Sequence, residues 1–404
     1  MMPRRTHRAQ GALLLLVGLF LVGCATTADA PPPSDGARLV TLERSGWYPA
    51  WVLRLALWYA DAPGPTPVRC GVQTFHVRYR TRDVHGEPAI ASGLYAEPTC
   101  RRARAVVSYQ HGTVTRREDV PSALATEGLA AAAVFAAGGY VLVAADYLGM
   151  GDHEGVHPYL HREATVRAAR DLLRTLPEIA ARRERTLPPT LLLAGFSQGG
   201  HATVALQHAL EASEADPSPT AAAAGSAPFD LERRAFPNAL AGRSKDHAAY
   251  LALLAHAYSD AQGEALETVL QPPWDDAARG ILAGVFDEDT LPRDPRVLFT
   301  AAFLARWDAG AEHWFRQALR RHSTHTVVPS APLRVYGGSA DDIAPSEDAR
   351  AAVEAMRAAG GNARYQDLGP LEHVDAALAA VPPIRAWFDE LTRLEPAPRL
   401  DAGR

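Results

Sequence analysis

The chain has 404 residues, of which 47% are hydrophobic and 22% charged, and a formal net charge of -5 at pH 7. This length fits one large α/β core with an insertion, or two domains, and the composition is that of a protein with a substantial buried core, which excludes bulk disorder. Because no long basic run follows residue 8, the sequence lacks the charge pattern of nucleic-acid-binding proteins, and we expect no nucleic-acid partner.

The N-terminus has the pattern of an export signal. Arginines within the first eight residues precede an apolar run over residues 12–22. This run is too short for a transmembrane helix, and a basic start followed by a short apolar stretch is typical of a signal peptide. We therefore expect residues 1–23 to be a signal peptide and the protein to be exported.

The apolar run ends in the sequence LVGC, whose last residue is Cys24. This end resembles the bacterial lipobox, in which the cysteine is lipidated and becomes the first residue of the mature chain. The alternative is an ordinary secretory signal with a chance cysteine. The residue after the cysteine is Ala25 and not Asp, and in lipoproteins an Asp at this position would oppose sorting to the outer membrane. The resemblance thus implies a membrane-anchored lipoprotein of the outer membrane, facing the periplasm or the cell surface.

Residues 24–66 form an N-terminal segment that begins with a tether. Its part over residues 29–36 is rich in Pro, Ser, Asp and Gly, which is typical of a flexible linker. Aromatic residues concentrate over residues 47–59. We expect these to pack in the core or at a sheet edge, with an interfacial membrane helix as the alternative.

Two cysteines follow the signal, Cys70 and Cys100. Between them, alternating residues over 75–80, a turn at 83–86 and a second run over 89–95 predict a β-hairpin. Both cysteines then fall at the open end of the hairpin, where cross-strand distances suit a disulfide. Export favours this bridge, and two unpaired thiols are the alternative.

Further along the chain, apolar strands alternate with helices. Strands of buried type are predicted over residues 105–109, 140–145 and 191–194, and helices over residues 122–137 and 161–181, the second with a break at Pro177. Uniformly apolar strands that alternate with helices indicate a mostly parallel, doubly wound sheet covered on both faces. The predicted fold class is therefore α/β.

The alternation stops after residue 225. Residues 226–328 contain helix-like segments separated by Pro-rich breaks, and we predict that they form a helical cap inserted into the sheet domain. The sheet domain then comprises residues 67–225 and 329–392, followed by a tail over residues 393–404. Its second part contains these predicted elements: a strand over 333–336, a helix over 350–359, a short strand at 364–366 and a helix after residue 373.

Residues 195–200 read GFSQGG and match the G-x-S-x-G motif. A buried strand precedes the motif and a helix over residues 201–211 follows it, the context in which a serine is presented at a sharp strand-to-helix turn. Gly195 and Gly199 leave room for the backbone to pack closely around Ser197. The motif predicts Ser197 as an exposed nucleophile, and the alternative is a Gly-rich turn without catalysis.

This elbow within alternating strands and helices resembles the α/β-hydrolase superfamily. The chain is similar in particular to the secretory-lipase-like branch that includes Candida antarctica lipase A, through residues 145–151 (ADYLGMG), residues 157–160 (HPYL) and the elbow itself. The resemblance covers about residues 70–387 and is weakest in the cap. It implies an α/β-hydrolase fold, ester hydrolysis through an acyl-Ser intermediate, no cofactor, and a cap that shapes the acyl pocket.

A serine hydroxyl needs a base, and the base needs an orienting acid. The resemblance implies the chain order Ser, acid, His. The loop after the strand at 333–336 offers Asp341 and Asp342, and Asp341 precedes Pro345 by four residues, as in the acid loop of the family. We predict Asp341 as the acid, with Asp342 as the alternative.

The predicted base is His373, the last histidine of the chain, which lies in the loop before the final helix. The resemblance places the catalytic histidine there, and the alternative is a surface histidine at a helix start. His201 is nearer to Ser197 in sequence. It lies one turn along the elbow helix and is expected to pack beside the nucleophile, so we assign it a structural role.

The tetrahedral intermediate needs preorganised N–H donors for its oxyanion. The backbone of Gln198, directly after the nucleophile, is expected to supply the first donor. Residues 111–113 (HGT) resemble the His-Gly loop of the family. This resemblance implies a second donor there, and we predict Thr113, with Gly112 as the alternative.

His153, His157 and His161 recur every four residues, a spacing that would align metal ligands on a helix. Two glycines and a proline between residues 151 and 158 disfavour a continuous helix, so we predict no metal.

These residues predict a serine carboxylic-ester hydrolase, an esterase or lipase, whose substrate is a small-molecule or lipid-like ester. A serine peptidase or amidase on the same fold is the first alternative. The second is a non-catalytic lipoprotein that binds a ligand in the groove of the cap.

Overall fold

The computed structural model describes residues 38–59, 67–100, 102–286 and 288–393. The strands of these residues are Leu39–Tyr48 (β1), Val72–Arg82 (β2), Pro88–Pro98 (β3), Val106–Gln110 (β4), Val141–Ala145 (β5), Leu191–Phe196 (β6), Ala221–Gly225 (β7), Leu333–Gly337 (β8) and Ala363–Asp367 (β9). They form one sheet in the order β1-β2-β3-β5-β4-β6-β7-β8-β9. The pairs β1-β2, β2-β3 and β3-β5 are antiparallel and the other pairs are parallel, which confirms the predicted α/β class with a mostly parallel sheet.

Helices cover both faces of this sheet. Their bounds are Ala50–Tyr59 (α1), Thr126–Val134 (α2), Arg162–Leu173 (α3), Leu176–Arg183 (α4), Gln198–Glu211 (α5), Phe236–Leu240 (α6), His247–Gln262 (α7), Trp274–Gly280 (α8), Ala301–Asp308 (α9), Trp314–His322 (α10), Ser346–Ala358 (α11) and His373–Leu391 (α12). Helices α3, α5 and α11 share one apolar cluster with the sheet, and α2 and α12 share another. None of the α-helices in the described ranges is long and apolar enough to cross a membrane.

Strands β2 and β3 form the hairpin predicted from the alternating pattern. Val72 pairs with Pro98 at the open end of the hairpin. Just beyond this pair a disulfide joins Cys70 to Cys100, whose Cα atoms are 5.5 Å apart. The predicted bridge is thus present.

The central strands β5 and β7 are buried along their whole length, because helices lie on both sides of them. Strand β7 has the sequence AAAAG. Alanine favours helices, but its small side chain allows the flanking helices to approach the sheet closely. Tertiary packing therefore overrides propensity here, and the sequence patterns above did not predict this strand.

Residues between β7 and β8 leave the sheet and contain helices α6 to α10. They have their own apolar cluster, in which Phe236 lies 4.4 Å from Trp307 and 5.4 Å from Phe315 between ring centroids. The cap predicted over residues 226–328 falls within this helical stretch.

Two other parts of the chain can be compared with the sequence expectations. Strand β1, within the segment expected to begin as a tether, forms the edge of the sheet. Trp47 on this edge strand and Trp51 on α1 are 58% and 61% exposed, so neither packs in the core, and Trp47 lies at a sheet edge, the other position that was expected. The helix expected over residues 161–181 with a break at Pro177 is divided into α3 and α4, which agrees with that break. Pro177 lies in the first turn of α4, where a missing N–H costs no hydrogen bond.

Candidate active site

Ser197 occupies the turn between β6 and α5, the position that the motif predicts. Its φ of 56° and ψ of -123° lie in a region that non-glycine residues rarely adopt. Its N–H donates to the carbonyl of Gly225, at the end of neighbouring β7, at 2.9 Å and so holds the turn in place. Only 8% of Ser197 is exposed. The serine therefore lies inside a covered site, whereas the motif predicted an exposed nucleophile.

The elbow requires glycine on both sides of the serine. A Cβ on Gly199 would lie 1.9 Å from the carbonyl oxygen of Gln110, and a Cβ on Gly195 would lie 2.3 Å from the carbonyl oxygen of Gly199. Both contacts involve backbone atoms that cannot move aside cheaply. The close approach also means that the end of β4, which leads into the His-Gly loop, packs directly against the elbow.

A carboxylate and an imidazole meet at the carboxyl ends of β8 and β9. The Nδ1 atom of His373 lies 2.8 Å from Oδ2 and 3.0 Å from Oδ1 of Asp341. Oδ1 of Asp341 also accepts the backbone N–H groups of Ile343 at 3.0 Å and Ala344 at 2.9 Å. These two donors fix the orientation of the Asp341 carboxylate, which is only 4% exposed. Asp342 is exposed and takes no part in this pair.

His373 lies against the elbow. Its ring is 4.9 Å from the ring of Phe196, centroid to centroid, and Phe196 directly precedes Ser197. Strands β6 and β8 are parallel and separated only by β7, so the loops that follow them open at the same edge of the sheet. The structure thus brings Ser197, Asp341 and His373 to one edge of the sheet.

The His-Gly loop is anchored by Glu127 on α2. Its carboxylate accepts the N–H of Gly112 at 2.9 Å and the hydroxyl of Tyr109 at 2.7 Å. The N–H of Gly112 is therefore directed at Glu127, which disfavours Gly112 as an oxyanion donor. The hydroxyl of Thr113, the preferred candidate, lies 2.9 Å from that of Tyr159.

His157 holds the side chain of Gln198, a contact that sequence reasoning missed. Its Nδ1 lies 2.8 Å from the carbonyl of Leu148, and its Nε2 lies 2.9 Å from Nε2 of Gln198. Burial lowers the pKa of His157 to about 4, so the ring is neutral near pH 7. A neutral ring that donates from Nδ1 can accept at Nε2, which fits both contacts. His157 thereby fixes the residue whose backbone N–H is the first oxyanion candidate.

The remaining histidines of the sequence analysis have separate surroundings. Nδ1 of His153 accepts the N–H of Gly149 at 2.9 Å, and His161 precedes α3 as its N-cap. The three histidines at four-residue spacing thus do not align on one helix. His201 is buried, and its Nε2 lies 2.8 Å from the carbonyl of His322, which fits the structural role assigned to it.

The predictions of a signal peptide and of lipidation at Cys24 lie outside the described residues.

No family model and no curated protein matches the sequence. Comparison with solved structures nevertheless gives the class of the protein, which has the α/β-hydrolase fold and is a hydrolase of the carboxylesterase type.

Three solved structures illustrate this similarity. A protein from Legionella pneumophila, described as a candidate hydrolase, is 26% identical with a TM-score of 0.83, covering 89% of this chain and 99% of that one. The rice cell wall degrading esterase LipA from Xanthomonas oryzae, in a ligand-bound form, is 25% identical with a TM-score of 0.75, covering 89% and 98%. Candida antarctica lipase A in its closed state is 19% identical with a TM-score of 0.59, covering 89% and 83%, and shows the shared fold.

Proposed function

We propose that the chain hydrolyses carboxylic esters through an acyl-Ser intermediate, with Ser197 as nucleophile, His373 as general base and Asp341 as the orienting acid. The observation that carries this proposal is the Asp341–His373 pair, 2.8 Å apart, packed against the residue that precedes Ser197. An Nδ1–H directed at a carboxylate leaves Nε2 unprotonated, which is the tautomer that a general base needs.

The proposed reaction has two half-reactions that balance in protons. In the first, Nε2 of His373 takes the proton of Ser197 as Oγ attacks the ester carbonyl, and then gives it to the leaving alcohol. In the second, His373 takes a proton from water, the resulting hydroxide attacks the acyl carbon, and the acid leaves as Ser197 regains its proton. Asp341 stabilises the imidazolium in both steps without becoming protonated.

In this mechanism the oxyanion is held by the backbone N–H groups of Gln198 and Thr113. Gln198 is the first residue of α5, and the first N–H groups of a helix have no partner within the helix. The positive end of the helix dipole adds to their attraction for an anion. Two observations support the N–H of Thr113 as the second oxyanion donor: its loop packs against the elbow, and the N–H of Gly112 already donates to Glu127.

The proposal is tested with the substitution Ser197→Ala. We expect loss of p-nitrophenyl ester hydrolysis and of fluorophosphonate labelling, with an unchanged circular dichroism spectrum, because only the nucleophile is removed. The substitution Ser339→Ala, an exposed serine of the acid loop, is the matched control and should change neither. Retained hydrolysis in Ser197→Ala would remove the proposal.

The same preparation separates the alternative functions. Faster cleavage of dipeptide amides than of short esters would indicate a peptidase or amidase. Absence of both turnover and labelling in the unmodified chain would indicate a ligand-binding protein. A series of esters with increasing acyl chain length would then give the length of the acyl pocket.

We also propose that the protein is exported and anchored to the outer membrane through a lipid on Cys24. The disulfide between Cys70 and Cys100 supports an oxidising compartment. Trp47, Trp51 and Leu55, all exposed near the start of the described chain, support a surface that lies close to the membrane.

The anchor is tested with the substitution Cys24→Ala. We expect the full chain to incorporate labelled palmitate and to fractionate with membranes, and the variant to do neither. Equal labelling of both proteins would contradict lipidation at Cys24.

A further inference from the structure

Three side chains with metal-binding atoms meet where the helical insertion joins the sheet domain. His161 is the N-cap of α3, Glu163 lies in the first turn of that helix, and His322 is the last residue of α10. One ligand atom from each residue lies within 4.8 Å of the others. The two imidazole rings are 3.9 Å apart between centroids, and Nδ1 of His322 is 3.0 Å from Oε2 of Glu163.

The surroundings of His322 require an explanation. The residue is only 1% exposed, and its Nε2 has no hydrogen-bond partner among the described residues. Its carbonyl is held from behind by Nε2 of His201 at 2.8 Å. Burying an imidazole nitrogen without a partner is unfavourable. The contact with Glu163 involves Nδ1 alone, so Nε2 is the ring nitrogen that is available to bind a metal ion.

We propose that His161, Glu163 and His322 bind one zinc ion. Two imidazoles and one carboxylate are a donor set that Zn²⁺ prefers, with a fourth position open to water. Zinc–ligand bonds of about 2.1 Å in a tetrahedron place the ligand atoms about 3.4 Å from one another. Side-chain rotations that move the ligand atoms by the order of 1 Å would bring the present cluster to that geometry. The side chain of Glu163 is 40% exposed, so an ion from solvent can reach the site on that side. This proposal revises the expectation, made from helical spacing alone, that His161 has no metal-binding role.

The ion would link two parts of the fold. His161 and Glu163 belong to a helix that packs on the sheet, whereas His322 ends the last helix of the insertion. His201, which contacts the carbonyl of His322, lies one turn of α5 beyond Ser197. Zinc at this place therefore links the end of the insertion to the elements that lie behind the elbow.

The test uses the full chain, stripped with a chelator and titrated with Zn²⁺ by calorimetry. We expect one high-affinity ion per chain, and affinity at least about tenfold weaker in Glu163→Gln and in His161→Gln, because each removes one of three protein ligands. Glu163 is half-exposed, so its substitution does not threaten the fold. Equal binding by the unmodified chain and both variants would refute the site.

Two controls separate this site from other zinc binding. His85→Gln removes an exposed histidine that is paired with Asp260 at 3.3 Å, and it should bind Zn²⁺ as the unmodified chain does. Ser197→Ala should also bind normally, which makes the result independent of the proposed catalysis. Loss of the ion in either control would place the metal elsewhere and overturn the assignment.

Co²⁺ and heat provide independent readouts. Co²⁺ should give visible absorption bands of a low-coordinate site in the unmodified chain, and these bands should be absent from Glu163→Gln. Excess Zn²⁺ should raise the thermal midpoint of the unmodified chain, since a ligand that binds only the native state stabilises it. An equal rise in Glu163→Gln would show that zinc acts at another place and would contradict the proposal.

Discussion

Two adjacent carboxylates, Asp341 and Asp342, have opposite surroundings. Asp341 is buried and accepts two backbone N–H groups as well as the contact with His373, whereas the side chain of Asp342 is exposed. The spacing to Pro345 favoured the first, but only three-dimensional contacts separate the two. Adjacent residues of the same type thus provide a matched pair for a test.

We expect Asp341→Asn to lower kcat for p-nitrophenyl butyrate by about 10⁴-fold, because an amide no longer holds His373 in the tautomer that accepts a proton. Asp342→Asn should leave kcat within about twofold, since an exposed carboxylate away from the base contributes little. Steady-state kinetics on both variants measures the difference. A larger loss of kcat in Asp342→Asn than in Asp341→Asn would show that Asp342 is the orienting acid and would contradict the assignment of Asp341.

Single residues of the candidate site differ in how far the sequence predicts them. Ser197 is recognisable from its own local motif, because the elbow needs glycines at fixed offsets. The assignments of Asp341 and His373 depend on the chain order Ser, acid, His that the family resemblance implies, since nothing in their local sequence excludes a surface role. The contact of His157 with Gln198 joins residues 41 positions apart. No local pattern encodes such a contact, so it emerged only from the structure.

At the scale of elements, apolar runs predicted most central strands because those strands are covered on both faces. Strand β7 was missed because its four alanines resemble a helix. Strand β1 was missed because an edge strand with one solvated side carries charged and exposed residues along its length. Helix ends were also shifted: α5 begins at Gln198 rather than at residue 201, because the turn at Ser197 leads directly into the helix.

The hairpin of β2 and β3 supports a prediction about stability. The disulfide closes a loop with a sequence separation of 30 residues. Its removal in the double variant Cys70→Ser and Cys100→Ser should lower the free energy of unfolding by about 3 kcal/mol, because the unfolded chain gains conformational entropy. Urea denaturation of the variant measures this loss. The unmodified chain treated with a reductant should lose a similar amount, and an unchanged midpoint in both would contradict the prediction.

At the scale of the whole molecule, buried titratable groups make stability depend on pH in opposing ways. Burial lowers the pKa of His157 to about 4, below the value near 6.5 of an unfolded chain. Between these values the unfolded state binds more protons, so this group lowers stability as the pH falls. Burial raises the pKa of Asp348 to about 7, so this carboxyl favours the native state at low pH and loses that effect as the pH rises from about 4 to 7.

Two substitutions separate these contributions. His157→Gln should make the loss of stability between pH 6.5 and 4 shallower, by up to about 3 kcal/mol over the full range. Asp348→Asn should make the same loss steeper, because it removes the opposing group. Chemical denaturation at a series of pH values measures both slopes. Identical slopes in the two variants would show that neither group titrates as its burial requires.

Strands β7 and β8 are neighbours in the sheet, so the helical insertion leaves and rejoins the sheet domain at adjacent positions. A segment attached in this way can grow, shrink or be exchanged without disturbing the strand register that brings Ser197, Asp341 and His373 to one edge. We expect substrate preference to change with the insertion, which the family resemblance implies shapes the acyl pocket, while the residues proposed for the chemistry keep their positions. A chimera that carries the insertion of a related hydrolase is accordingly a natural starting point for changing selectivity by engineering.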